Sequence, residues 1–278
     1  MIPKINHFHS SDNLKLETQE YFHSENPDSI ILIIHGHGEH AGRFSKVANY
    51  FNEKNIAVCA LTLRGHGNSE GKKGHAPSLD QLLTDVEYFI RSVRVRFLEA
   101  DLYLYGHSMG GNIVLNYMVN DQSDELTAGI VTSPWIKLAF EPPKWKVNLG
   151  NWVADIIPAL IQSTELDAND ISSIEEEVKK YQNDPLIHSK ISAKLFSSIS
   201  KGGEYLIHNT GKFKHPIFMA HGQKDNIISH DATESLSKDN KLFSFKSYPE
   251  SKHEIHHDVD FKNLMQDVLE WMQKIKTS

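Results

Sequence analysis

The stretch LYLYGHSMGGNIVLNYM, residues 102–118, places Ser108 between glycines at positions 106 and 110. An apolar run precedes the serine and an apolar-periodic segment follows it. The G-x-S-x-G pattern therefore falls where a strand becomes a helix. At so tight a turn the serine oxygen projects clear of the sheet, and glycine on either side removes side chains that would clash. The chemistry this suits is nucleophilic attack. A serine hydroxyl at its ordinary pKa is a poor nucleophile, so it needs a base, and the base needs an orienting acid. Two later segments supply candidates. PIFMAHGQKDNIIS ends a strand and then offers Asp225, and FKSYPESKHEIHHD ends the next and offers His253. The order Ser108, Asp225, His253 is the one expected of a fold that carries its serine on such a strand-to-helix turn. Competing roles exist for both partners. Asp225 could cap the helix near Ser229. His256 and His257 compete with His253 for the base role, but they lie against the start of the last helix and read as solvated. The chain carries 17 histidines, so no single one is strong evidence.

Acyl transfer builds negative charge on a carbonyl oxygen, which two backbone N–H groups usually receive. One should come from Met109, the residue after the serine. The other should come from HGHGEHAGR, the loop after SIILIIHG, with His37 as the donor between Gly36 and Gly38. A second motif is a decoy. HEIHH, residues 253–257, has the H-E-x-x-H form of a zinc protease, which needs both histidines on one face of a continuous helix. Pro249 and a strand lie just upstream. The extended form of the motif fails too, because Asp260 and Asn263 stand where a glycine and a third histidine should be. No metal is expected.

The elements that must position these residues follow from apolar patterning. INHFHSSDNLKLETQEYF reads as two strands around a polar turn. SIILIIHG, IAVCALTL, DLYLYGH, TAGIVTSP, PIFMAHG and LFSFKSYPE read as strands, several of them continuous apolar runs of the buried parallel kind. Helical spacing appears in AGRFSKVANYFNEKN, in SLDQLLTDVEYFIRSVRVRF, after Met109, and in VDFKNLMQDVLEWMQKI. Strands alternating with helices predict an α/β chain with a mostly parallel central sheet and helices on both faces. The rhythm breaks between about 134 and 205, which holds five prolines and three of the four tryptophans and no clear strand. The chain divides accordingly into a core at 1–133, a helical insertion at 134–205, and a second core segment at 206–278.

The formal net charge of −7 argues against a nucleic-acid partner, since neutralising phosphates requires a basic face. No apolar run approaches the roughly 20 residues of a membrane-spanning helix, and the first residues lack a signal-peptide core. Cys59 is the only cysteine, so no disulfide framework is expected. It lies in an apolar run and reads as buried filler. A soluble cytoplasmic protein is the expectation.

The segments HGHGEHAGR, LRGHGNSEGKKGH, GHSMGG, NDPL, HGQKDNIIS and SKHEIHHD occur in that order from residue 35 to residue 258. Together they resemble the monoacylglycerol lipase and lysophospholipase-like members of the α/β-hydrolase fold. The resemblance implies Ser108 as nucleophile, Asp225 and His253 as its partners, His37 and Met109 as backbone oxyanion donors, and no metal or organic cofactor. It also implies a helical cap over the site, which residues 134–205 would supply. Two positions depart from the pattern. Thr62 stands where an aspartate is common, and HEIHHD has histidines where a polar-acidic pair is common. The expected activity is hydrolysis of carboxylic esters of monoacylglycerol or lysophospholipid type. Trp135, Trp152 and Ile157 are the candidate substrate contacts, within an apolar set that also includes Phe140, Trp145, Ile156, Leu160 and Ile161; such residues also pack simply against one another. The tryptophans could also meet a membrane surface. A peptidase, an amidase or a thioesterase could use the same three residues. A peptidase would want an acidic group such as Glu141, Asp155 or Glu165 to capture an amine. A non-catalytic binding protein of this fold would typically lack one of the three. No motif speaks to head group, acyl length or oligomeric state.

Overall fold

The computed structural model describes residues 1–120, 125–140, 154–164 and 166–276. Strands β1 (Lys4–His9) and β2 (Lys15–Tyr21) form an antiparallel hairpin, its turn carrying Asn13 at a φ of 67°. There follow β3 (Ser29–Ile34), helix α1 (Ser45–Asn52), β4 (Ala57–Leu61), helix α2 (Leu79–Arg94), β5 (Asp101–His107), helix α3 (Met109–Val119) and β6 (Ala128–Thr132). The region between core strands holds β7 (Ile161–Ser163), α4 (Glu175–Asn183), β8 (Lys190–Ser192) and α5 (Ala193–Ile207). The chain ends with β9 (Ile217–Gly222), α6 (His230–Lys238), β10 (Phe243–Tyr248) and α7 (Phe261–Lys276).

Eight strands form one sheet in the order β1-β2-β4-β3-β5-β6-β9-β10. The six from β4 to β10 in that order run parallel, while β2 joins β4 antiparallel. Strands β3, β4, β6 and β9 are buried at every residue. A parallel strand covered on both faces demands such uninterrupted apolar runs. Alternation still assigns the faces. Ile30, Leu32 and Ile34 pack in one layer with residues of α2 and α3, such as Phe89 and Ile113. Ile31 and Ile33 pack in the other with α1 and α7, through residues such as Phe51 and Met265. Cys59 is fully buried in the first layer.

Two features of the region between β6 and β9 position the site. Helix α3 is buried along its whole length, because α5 covers the side that the sheet does not. The contact is close because α5 presents a glycine there: a Cβ on Gly202 would sit 2.8 Å from Asn112 Oδ1. Asn112 on α3 ties the pair together by donating to the carbonyls of Trp135 (2.7 Å) and Ile199 (3.0 Å). The region is not purely helical as expected. β7 and β8 pair antiparallel as a separate ribbon. Each is three residues long, too short to leave a readable alternation. Helix α5 runs across position 205, where the sequence suggested a boundary. Among the described residues, no helix is long and apolar enough to cross a membrane.

Candidate active site

Ser108 occupies the turn between β5 and α3 with φ 53° and ψ −117°. This is a conformation that non-glycine residues rarely adopt. The surroundings enforce it. The Ser108 N–H donates to the Thr132 carbonyl at 3.0 Å, and its own carbonyl accepts from the Trp135 N–H at 2.9 Å. The flanking glycines are required by approach: a Cβ on Gly106 would lie 2.4 Å from the Gly110 carbonyl oxygen. One on Gly110 would lie 2.2 Å from that of Ile34. The turn is thus wedged against the end of β3.

Asp225 and His253 meet at the ends of neighbouring strands β9 and β10. His253 Nδ1 donates to Asp225 Oδ2 at 2.7 Å. Asp225 Oδ1 accepts the backbone N–H groups of Ile227 (2.8 Å) and Ile228 (3.0 Å), so the loop itself orients the carboxylate. Ser229, and not Asp225, caps α6 by accepting from the Ala232 N–H. The His253 ring lies 4.8 Å from that of His107, the residue before Ser108. Its carbonyl accepts from the Ser133 hydroxyl at 2.8 Å. Serine, histidine and aspartate are therefore gathered at one end of the sheet, all nearly buried. Burial alone would lower the His253 pKa, but the charge and hydrogen bond of Asp225 outweigh it and the net direction is upward. Burial likewise opposes the Asp225 charge, yet His253 and His221 hold its carboxyl well below the ordinary range.

The loop after β3 reaches the same place. Met109 begins α3, so its N–H is one of the first-turn donors with no intrahelical acceptor. Among the described residues neither it nor the His37 N–H makes a hydrogen bond. Gly38 takes φ 80°, and His188 donates its N–H to the Gly38 carbonyl at 2.9 Å. The His37 ring, its nitrogens buried, lies beside those of His66 and His188, with centroids 5.6 and 5.8 Å away. Burial and these neighbours push its pKa well down.

Beneath the loop lies a charged group that the sequence did not announce. Glu39 accepts the Gly36 N–H at 2.6 Å and the Arg43 Nε–H at 3.0 Å. Arg43 also pairs with Glu254 and lies 4.9 Å over the Tyr181 ring. Burial and the nearby Glu254 charge raise the Glu39 pKa. Burial opposes the Glu254 charge too, but Arg43 and His257 hold that carboxyl low. This corrects the expectation that His256 and His257 are solvated. Both are buried. His257 sits between the Glu254 carboxylate (2.8 Å) and the Arg43 carbonyl (2.9 Å), and His256 stacks on Phe44 at 4.8 Å. The only sequence sign was three charged residues, Glu39, Arg43 and Glu254, in segments already holding the candidate residues.

HEIHH is not a helix; a single 3₁₀ turn spans Ile255–His257. Among the described residues, ligand atoms of Glu254, His256 and His257 lie within 4.8 Å of one another, as do those of His230, Asp231 and Glu234. The first group fits a cation poorly, because Arg43 already neutralises Glu254. The expected substrate contacts scatter. Trp135 is buried, with its ring 5.5 Å from that of Phe196. Ile157 is exposed, as are Phe140, Ile156 and Leu160. Trp145, Trp152, Glu141 and Glu165 lie outside the described residues.

Residues 25–260 match the profile of a family described as serine aminopeptidase, S33. An uncharacterized abhydrolase domain-containing protein of Dictyostelium discoideum is 30% identical over 99% of this chain, which spans only 29% of that protein's length. The monoacylglycerol lipase of Mycolicibacterium smegmatis is 28% identical over 88% of both chains. The crystal structure of Paleococcus ferrophilus monoacylglycerol lipase superposes with a TM-score of 0.85, covering 95% of this chain and 99% of that one at 27% identity.

Proposed function

We propose, for a chain that belongs to the serine aminopeptidase S33 family and folds as an α/β-hydrolase, that it hydrolyses carboxylic esters of the monoacylglycerol type through Ser108, His253 and Asp225. The observation that carries this reading is the 2.7 Å Asp225–His253 bond formed beside the strained Ser108 turn. A histidine held by a carboxylate through Nδ1 presents Nε2 as a base. His253 takes the Ser108 proton as the oxygen attacks the ester carbonyl. The N–H groups of His37 and Met109 receive the developing oxyanion, and the Glu39–Gly36 bond holds that loop in place. His253 protonates the leaving alcohol. It then activates the water that releases the acid from Ser108. Residues 134–205 act as a cap over this end of the sheet, and its apolar side chains receive the acyl chain. The relatives named as monoacylglycerol lipases support that substrate class. An amine-capturing acid, which a peptidase would want, is not favoured at Asp155, which is exposed and lies 3.7 Å from Lys194.

The test is labelling and turnover together. A fluorophosphonate should modify wild type at Ser108 only, and Ser108→Ala should fold normally while losing on the order of 10³-fold or more in ester hydrolysis. Nitrophenyl esters of graded acyl length, with monoacylglycerol alongside, test the substrate. Each buried methylene contributes about 0.8 kcal/mol at best, so kcat/KM should climb up to about fourfold per methylene until the pocket is full. Wild-type turnover by Ser108→Ala ends the mechanism. A flat series from acetate to decanoate ends the acyl-pocket assignment.

A further inference from the structure

We propose that His221, the first residue of the HGQKD segment, is a positioning residue that shares the Asp225 carboxylate with His253 and thereby sets the basicity of His253. The proposal rests on the reading of Ser108, His253 and Asp225 given above. His221 Nε2 stands 2.9 Å from Asp225 Oδ2, the same oxygen that His253 Nδ1 approaches at 2.7 Å. A carboxylate oxygen only accepts, so both imidazoles donate to it. The other ring nitrogen, His221 Nδ1, then carries a lone pair, and it lies 2.9 Å from Thr233 Oγ1 on α6. The hydroxyl must be its donor. The result is a directed chain: Thr233 O–H to His221, His221 N–H to Asp225, and His253 N–H to the same oxygen. Both His221 and Thr233 are fully buried, so water does not compete for these bonds.

This arrangement has two consequences. The first is geometric. Oδ1 is pinned by two backbone N–H groups, but without His221 the other oxygen would be held by His253 alone. The carboxylate could then pivot about Oδ1 and carry the imidazole with it. The second is electrostatic. A neutral donor on Oδ2 draws off part of the negative charge that stabilises a protonated His253. Removing that donor strengthens the pull of Asp225 on the proton, and His253 stays protonated to higher pH. Burial favours the neutral form of His221, opposed by Asp225, with a downward net shift. The groups facing His253 are His221 on β9, Asp225 after it, His107 on β5, Glu39 after β3, and Glu254 and His256 on its own loop. Those facing His221 are Asp225, His253, Thr233 and His230, whose ring centroid is 5.6 Å away. Of these groups only His221 donates to the Asp225 carboxylate beside His253.

The experiment measures kcat/KM for a nitrophenyl ester against pH in wild type, His221→Phe, His221→Gln and Thr233→Val, with thermal melts of each. His221→Phe should move the acid limb up by about half a unit or more and lower the plateau on the order of 10-fold. His221→Gln keeps an N–H toward Oδ2 and should hold the wild-type limb. Thr233→Val leaves Nδ1 without its donor and should shift the limb partway. An unchanged limb in folded His221→Phe overturns the proposal even if its melting temperature falls, because a merely structural residue would do that. If His221→Phe does not fold, Thr233→Val decides, and an unchanged limb there overturns it. A shift in His221→Gln as large as in His221→Phe also overturns it. Fluorophosphonate labelling of wild-type Ser108 separates these outcomes from failure of the underlying reading: without labelling, it is the nucleophile assignment that falls.

Discussion

Gly110 offers a test in which the structure supplies the magnitude. A Cβ placed there would meet the carbonyl oxygens of Ile34 at 2.2 Å and His35 at 2.4 Å. Carbon–oxygen contacts between backbones ordinarily stop near about 3.3 Å, so Gly110→Ala requires a separation of about 1 Å. Both obstacles are backbone, and no rotamer relieves them. The start of α3 must therefore retreat from the end of β3. These two segments carry Met109 and His37, so the cost falls on the pair of N–H groups proposed to receive the oxyanion. Two energies oppose each other. Alanine favours a helix over glycine by about 1 kcal/mol, and overpacking costs about 1–3 kcal/mol. Stability should thus fall only modestly. Activity should fall far more, because a misplacement of about 1 Å at reacting groups costs on the order of 10²-fold. Gly211→Ala is the control, since a Cβ there meets nothing within 4 Å. The assay is kcat/KM for a short nitrophenyl ester beside a thermal melt. If Gly110→Ala turns over like Gly211→Ala, the wedged turn does not position the site and the argument fails.

The pH dependence follows from the raised pKa of His253. As the proposed base, His253 works only when neutral, so kcat/KM should rise with pH through a midpoint above the ordinary histidine value of about 6.5; a midpoint below about 6 would contradict the Asp225 pairing. Stability carries the signs of linkage. The His253 contribution is complete below about 6.5 and is lost as pH rises through its folded value. The Asp225 contribution is present above about 3.9 and is lost as pH falls toward its depressed folded value; urea midpoints across pH would check both. Arg43→Met should destabilise by about 3–5 kcal/mol, because it leaves Glu39 and Glu254 buried without their cation. Denaturant melts read this directly, and a loss under about 1 kcal/mol would mean that the pairs contribute little.

The parts of this protein that were legible beforehand are those where one short window holds both cause and effect. The strand cores are runs such as SIILII, whose apolar continuity is itself the reason they are buried. The Ser108 turn is legible because its glycines are required within two residues of the serine. Asp225 and His253 were singled out by their places at strand ends, and their hydrogen bond needed only neighbouring strands. The β7–β8 ribbon was missed because three residues per strand leave no period to read.

His256 and His257 were misread for a different reason. Their position before an amphipathic helix suggests solvent, but exposure there depends on what folds back over the turn. Phe44 and Arg43 do so, from a segment more than two hundred residues earlier. The Arg43 guanidinium can enter only because Glu39 and Glu254 compensate it, and Glu254 is held there by the same short turn that buries the histidines. Each of these residues is placed by the others, so none is predictable alone. His221 belongs to the same class. Its type is ordinary in so histidine-rich a chain, and only the shared oxygen of Asp225 distinguishes it. Local pattern therefore located the groups proposed to react, while the groups packed around them emerged only from contacts between distant segments.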